Sequence, residues 1–260
     1  KPPEAGTDVF TPGYGSSSNI PGYPSTSTYN GTGLFVTDFA LTRRINTTQD
    51  WKAQSRLTGD KYLVTNDTSA EATDSNIKFD YMTGFYSASG QDQNNSWQWK
   101  RHAGFDVVTY TGDGSWGHNV PHSMNKVPEM MWVKNRSSSG EEWMVYHKDL
   151  DGGNQPETHY LMLQSTAAQA DSNGPWNDTA PSSTNFTLGG WNAVNMISGQ
   201  YIAMLFASVD GISKCGYYDG TGSAGHVITT GFAPRFLIIK TINASNGWFV
   251  YDSLRGLGSG

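Results

Sequence analysis

His118 and His122 are the first residues in this chain whose spacing suggests chemistry. On a helix, a four-residue spacing would turn both imidazoles to one face, as a zinc pair requires. Pro121 stands between them in a glycine-rich setting, so a regular helix is not expected there. The chain has no HExxH and no CxxC, and no metal site is expected. Asp113, Asp149, Asp151 and Asp219 offer oxygens to calcium, but a calcium loop draws several oxygens from one short stretch. Turn chemistry accounts for Asp113 in TGDG and Asp219 in YDGTG without a cation. Glu129, Glu141, Glu142 and Glu157 are the acids from which a glycoside-hydrolysing pair would be drawn. Glu141 and Glu142 are adjacent in SSSGEEW, so on a strand they would face opposite ways. There is no GxSxG and no phosphate-binding glycine loop. Cys215, the single cysteine, reads as a small buried residue. No catalytic residue and no cofactor is expected.

Three tryptophans remain. Trp116 follows a turn, Trp176 sits in NGPWND and Trp191 in GGWN. An indole in a polar, glycine-rich loop can stack on a sugar face while Asn and Asp bind hydroxyls, so these three are the expected glycan contacts. The competing expectation is that the rings pack beneath loops or against other subunits.

The elements that would position these loops are strands. DVVTY, MMWVK, WMVYH, YLMLQ, FTLGG and YIAMLFA are short, aromatic or β-branched, and bounded by turn residues. In WMVYH, Trp143, Val145 and His147 fall on one face, and Met144 and Tyr146 on the other. No stretch holds a helical period with caps. The expected fold is all-β, a β-sandwich of jelly-roll type.

The chain also repeats itself. YTGDGS at 110–115 returns as YDGTGS at 218–223, VPEMMWVK as APRFLIIK with Pro128 over Pro234, and EEWMVYHKDL as NGWFVYDSLR with Tyr146 over Tyr251. A worn upstream copy places Arg44 under Arg136, Trp51 under Trp143 and Tyr62 under Tyr160. Drifting offsets are what loop insertions do to a repeat. The expectation is tandem units of about 108 residues: 34–127, then 128–260 with the start of a third copy. Residues 1–33, rich in Pro, Gly, Ser and Thr, read as an extended arm held by a neighbouring subunit. Lys1 and the closing RGLGSG suggest a piece of a longer array.

A net charge of −6 with no basic run argues against a nucleic-acid binder, and no apolar run is long enough to span a bilayer. An aromatic share of 13% excludes a disordered chain.

Taken together, the YTGxGS turn, the PxMMWVK strand, WxVYH and the WNDTAP…F segment resemble a repeat of large virion proteins of marine tailed bacteriophages, cyanophages especially. The likeness covers roughly residues 34–255. It implies a non-enzymatic virion component (tail fibre, spike or capsid-attached appendage) on the surface of an extracellular particle. The expected partners are further copies of the chain, bound through residues 1–33, other virion proteins and a host-surface glycan. A secreted carbohydrate-binding module and a phage-borne polysaccharide depolymerase are the alternatives.

Overall fold

The computed structural model describes residues 5–14, 36–44, 47–80, 84–87, 94–102 and 104–256. The fold there is all-β. The first sheet contains β1 (Phe10–Tyr14), β2 (Phe39–Arg44), β3 (Lys52–Ser55), β4 (Lys61–Val64), β5 (Ala72–Thr73) and β8 (Asn94–Trp99). Between β5 and β8 a small ribbon pairs β6 (Ile77–Lys78) with β7 (Tyr86–Ser87). The second sheet contains β9 (Phe105–Thr111), β11 (Met130–Asn135), β12 (Met144–His147), β13 (His159–Met162), β14 (Ala170–Asp171) and β16 (Gln200–Phe206). A ribbon of β10 (His118–Pro121) with β15 (Asn185–Leu188), and a single helical turn α1 (Asn192–Asn195), lie beside it. A hairpin of β17 (Phe236–Lys240) and β18 (Trp248–Asp252) follows.

The two large sheets share one strand order. One runs β1-β8-β2-β3-β4-β5, and the other, in the matching direction, β9-β16-β11-β12-β13-β14. The hairpins β2–β3, β11–β12 and β17–β18 open on equivalent pairs: Phe39 opposite Ser55, Met130 opposite His147, Phe236 opposite Asp252. Pro128 and Pro234 therefore precede their hairpins at the same point, and Trp51 and Trp143 each stand immediately before the second strand of theirs. The upstream strand sits one residue away from its expected place: the pairing sets Arg44 level with Asn135, not with Arg136. Strand side chains alternate, so a one-residue slip exchanges the two faces.

Alternation builds one shared core. Phe39, Leu41, Trp97 and Trp99 of the first sheet pack with Phe105, Val107, Trp132, Trp143, Val145 and Met204 of the second. Phe236, Ile238, Trp248 and Val250 of the hairpin close over the same cluster. The opposite face of the second sheet buries Met131, Val133, Met144, Tyr146 and Leu205 beneath Trp176, Phe186 and Leu188.

The contacts between these three segments recur. Trp143 donates from Nε1 to the Val64 carbonyl at 2.9 Å, and Trp248 to that of Met162 at 3.1 Å. Val64 and Met162 end β4 and β13, which hold the same place in their sheets. Lys134 donates to the Thr68 carbonyl at 3.1 Å, and Lys240 to Thr166 at 3.2 Å. The Glu71 amide reaches the Arg136 carbonyl, and the Gln169 amide that of Ile242, each at 2.8 Å. The hairpin also returns to the first segment: Phe236 lies 5.6 Å from Phe10, as Phe39 lies 6.0 Å from Phe105. The segments meet pairwise around one core.

Two expected boundaries come out differently. Phe10–Tyr14 is an edge strand paired with β8 of its own chain, so this part of the expected arm is not held by a neighbour. Pro12 is tolerated because an edge strand can leave one N–H unpaired. Residues 15–33 of that stretch lie outside the described residues. The boundary drawn at 127/128 matches no change of sheet, since β9 and β10 before it pair with β16 and β15 after it.

Candidate functional site

The turn after β9 carries TGDGSWGH across residues 111–118 and is fixed by a buried polar knot. Asn195, at the end of α1, is fully buried. Its Oδ1 accepts the Asp113 amide at 2.9 Å. Its Nδ2 donates to Asp113 Oδ1 at 3.1 Å and to the Ser115 carbonyl at 2.8 Å. His118 Nδ1 lies 2.9 Å from Asn195 Oδ1 and 3.2 Å from Asp113 Oδ1. The Ser115 amide donates to Asp113 Oδ1 at 2.8 Å. That bond is the main reason the Asp113 carboxyl lies below its usual range; burial opposes it, and Asn195 and His118 assist. Gly112 is required here, because a Cβ would stand 2.3 Å from the Met196 carbonyl oxygen.

The knot presents Trp116, which is 55% exposed. Its indole lies against Gly190, where a Cβ would come within 2.5 Å of Nε1. The motif GGWN thus supplies a glycine floor for one tryptophan and carries another. Trp191 is half-buried, packs edge-on to Tyr160 at 5.3 Å, and lies against Gly174. Exposed Ile197 borders the same turn at Gly114.

Of the three tryptophans expected to contact a sugar, only Trp116 offers a free face. Trp176 is 1% exposed, donates Nε1 to the His159 carbonyl at 3.1 Å and packs edge-on to Tyr146. It is a core residue, and it leaves the set of candidate ligand contacts. The polar letters of NGPWND mark the loop around the ring, while the ring itself turns inward.

Of the other candidates, Glu129, His118 and His122 are held in structural contacts. Glu129 accepts the Ser208 amide at 2.9 Å and the Ser208 hydroxyl as well, fastening the end of β16. The Glu141 carboxyl is raised, first by burial and then by Glu142. Glu157 lies in a short turn at Pro156–Thr158. His118 belongs to the Asn195 knot, whereas His122 Nε2 faces the Ser182 carbonyl at 3.2 Å. Among the described residues no group of three or more His, Cys, Asp or Glu side chains is placed to hold a metal. Cys215, expected to be buried, is half-buried; burial, with Glu129 adding to it, pushes its thiol up to about 12.

A feature with no sequence signal is a cavity of about 400 Å³ between the segments, walled by Phe10, Trp99, Phe105, Trp132, Cys215 and Phe236. Trp132 is buried, and its Nε1 has no acceptor among the described residues.

A family model for a domain of unknown function, DUF7483, matches residues 13–258. The chain belongs to the DUF7483 family. No curated protein and no solved structure gives a match. The DUF7483 match runs across both large sheets and the β17–β18 hairpin, so the family's unit takes in all three segments that share the core.

Proposed function

We propose that this DUF7483 domain is a non-enzymatic structural component of a tailed-phage virion, a tail fibre, spike or capsid-attached appendage, built from copies of one β-unit. One observation carries the reading: the bonds that join the first segment to the second also join the second to the third. Trp143 on Val64 and Trp248 on Met162 are one contact used twice. A rigid unit whose segments close on one core through a repeated contact suits a surface protein built from copies of that unit. Glu129, Lys134, Asn195 and Asp252 hold hydrogen bonds that brace turns and hairpins. In this reading Trp116 is the contact with a host-surface glycan, and further copies of the chain and other virion proteins are its partners.

Mass spectrometry and imaging of purified source particles test the reading. The chain is expected in stoichiometric, symmetric copies on capsid or tail. Its absence from particles, together with a soluble monomer that binds glycan, would replace the reading with a free carbohydrate-binding module. The exposed indole of Trp116 on its glycine floor is the observation that favours that second reading.

A further inference from the structure

β17 has one partner where its counterparts have two. β2 lies between β3 and β8, and β11 between β12 and β16, whereas among the described residues β17 pairs only with β18. The missing position is well defined by the other two sheets. There, β8 and β16 run antiparallel to β2 and β11 and send Trp97 with Trp99, or Met204 with Phe206, into the shared core. Each is flanked in turn by a strand, β1 or β9, that opens on Phe10 or Phe105.

The cavity occupies the corresponding place in the third segment. Its walls include Phe236 and Ile238 of β17 on one side and residues 211–215 on another. Residues 211–215 run into the second YTGDGS-like turn at 218–223, as β9 runs into the first at 110–115. Trp132, with its unpaired Nε1, and Trp99 form part of the remaining wall. A buried ring N–H without an acceptor is unfavourable. An unpaired strand edge beside an apolar slot is the arrangement that β-strand addition uses: main-chain bonds hold the incoming strand, and pockets select alternate side chains.

We infer that the β17 edge is a strand-acceptor site. Its occupant is an antiparallel strand of the β16 type, with two large apolar side chains two positions apart facing the core. It is supplied by a polypeptide segment outside these 260 residues. The strand completes a third sheet and fills the cavity beside Trp132. The inference rests on the geometry of the three segments and does not require the virion reading.

The test adds to the intact chain a synthetic peptide of the β16 sequence Gln200–Phe206 with a lysine tail. Amide hydrogen exchange of residues 236–240 and the Trp132 indole N–H resonance are followed. The expected result is at least tenfold slower exchange at alternate β17 amides and a shifted Trp132 signal. A peptide carrying Met204→Asp and Phe206→Asp should produce neither. No protection with saturating peptide, or equal protection by the aspartate peptide, overturns the site. Concentration-dependent dimerisation of the chain alone, with the same amides protected, assigns the edge to a second copy and overturns the donor named here. Chains found in particles that ignore the peptide would break this inference alone, and chains that bind it but are absent from particles would break only the proposed function.

Discussion

The outer face of the β11–β12 hairpin and the outer face of the β17–β18 hairpin carry similar residues in opposite circumstances. Met131, Val133, Met144 and Tyr146 are all at most 3% exposed, covered by Trp176, Phe186 and Leu188. At the same places in the later hairpin, Leu237 and Ile239 are half-buried, and Phe249 and Tyr251 are 50% and 47% exposed. The inner faces both pack on the shared core through the same tryptophan contact, with Trp143 fully buried and Trp248 half-buried. The inner face is where the fold's repeated contact lies. The outer face depends on whatever loops and strands happen to cover it, which makes it the place where segments diverge and where partners can bind.

The comparison breaks most visibly at the tryptophans. Trp143→Ala should cost about 3–5 kcal/mol, the usual range for emptying a fully buried aromatic site. Trp248→Ala, at a half-buried ring, should cost less than half of that. Urea denaturation of the two variants measures both, and equal losses would mean that the hairpin is docked as firmly as the sheet. On the outer faces, Met144→Ala should cost about 2–5 kcal/mol, whereas Phe249→Ala should stay within about 1 kcal/mol. A large loss at Phe249 would show that the open face is already covered.

The lysines sharpen the same contrast through pH. Burial lowers Lys134 to about 8, against opposing pulls from Glu141, Asp67 and Glu142. The fold then binds fewer protons than the unfolded chain from about pH 8 up to the ordinary lysine range near 10.5. Lys134 therefore contributes stability that rises with pH across that window, while the raised Cys215 thiol and Tyr146 and Tyr201 phenols act in the opposite sense from about pH 9 upward. Lys134→Met should make the pH slope less positive between pH 8 and 9, whatever its baseline stability, as read from denaturation midpoints. Burial also lowers Lys240, which is more open, so Lys240→Met should change the slope less. The smallest effect on stability is expected at Trp116, where Ala should shift it by no more than about 0.5 kcal/mol. Adsorption to host cells should fall in that variant, and unchanged adsorption would remove Trp116 from the glycan reading.

Much of the architecture was legible because strand chemistry is local. WMVYH alternates as its letters suggest, with Trp143 and Val145 inward and Met144 and Tyr146 on the other face. Landmarks such as Trp51 with Trp143, Tyr62 with Tyr160, and Pro128 with Pro234 occupy matching places in their hairpins. Arg44 misled by one residue, because a charged strand end marks a boundary and carries no information about which face it is on. β1 was hidden in a Pro/Gly/Ser-rich stretch, since an edge strand makes small demands on composition. In the sequence Trp176 reads as a loop residue, because its burial depends on Tyr146 and His159, which are distant in sequence. Lys134, fully buried in mid-strand, gives no sign in the sequence that it serves as a donor between segments. The cavity is assembled from three distant stretches, and no single one of them encodes it.

Hydrogen exchange of the tryptophan indole N–H groups tests most directly the claim that each segment docks on its predecessor by one contact. Trp143 and Trp248, both donating to a strand-end carbonyl of the preceding segment, should be protected together, while Trp116 exchanges at the rate of a free indole. If Trp248 exchanges as fast as Trp116, the third segment does not dock as the second does, and the repeated contact that supports the proposed function is not there.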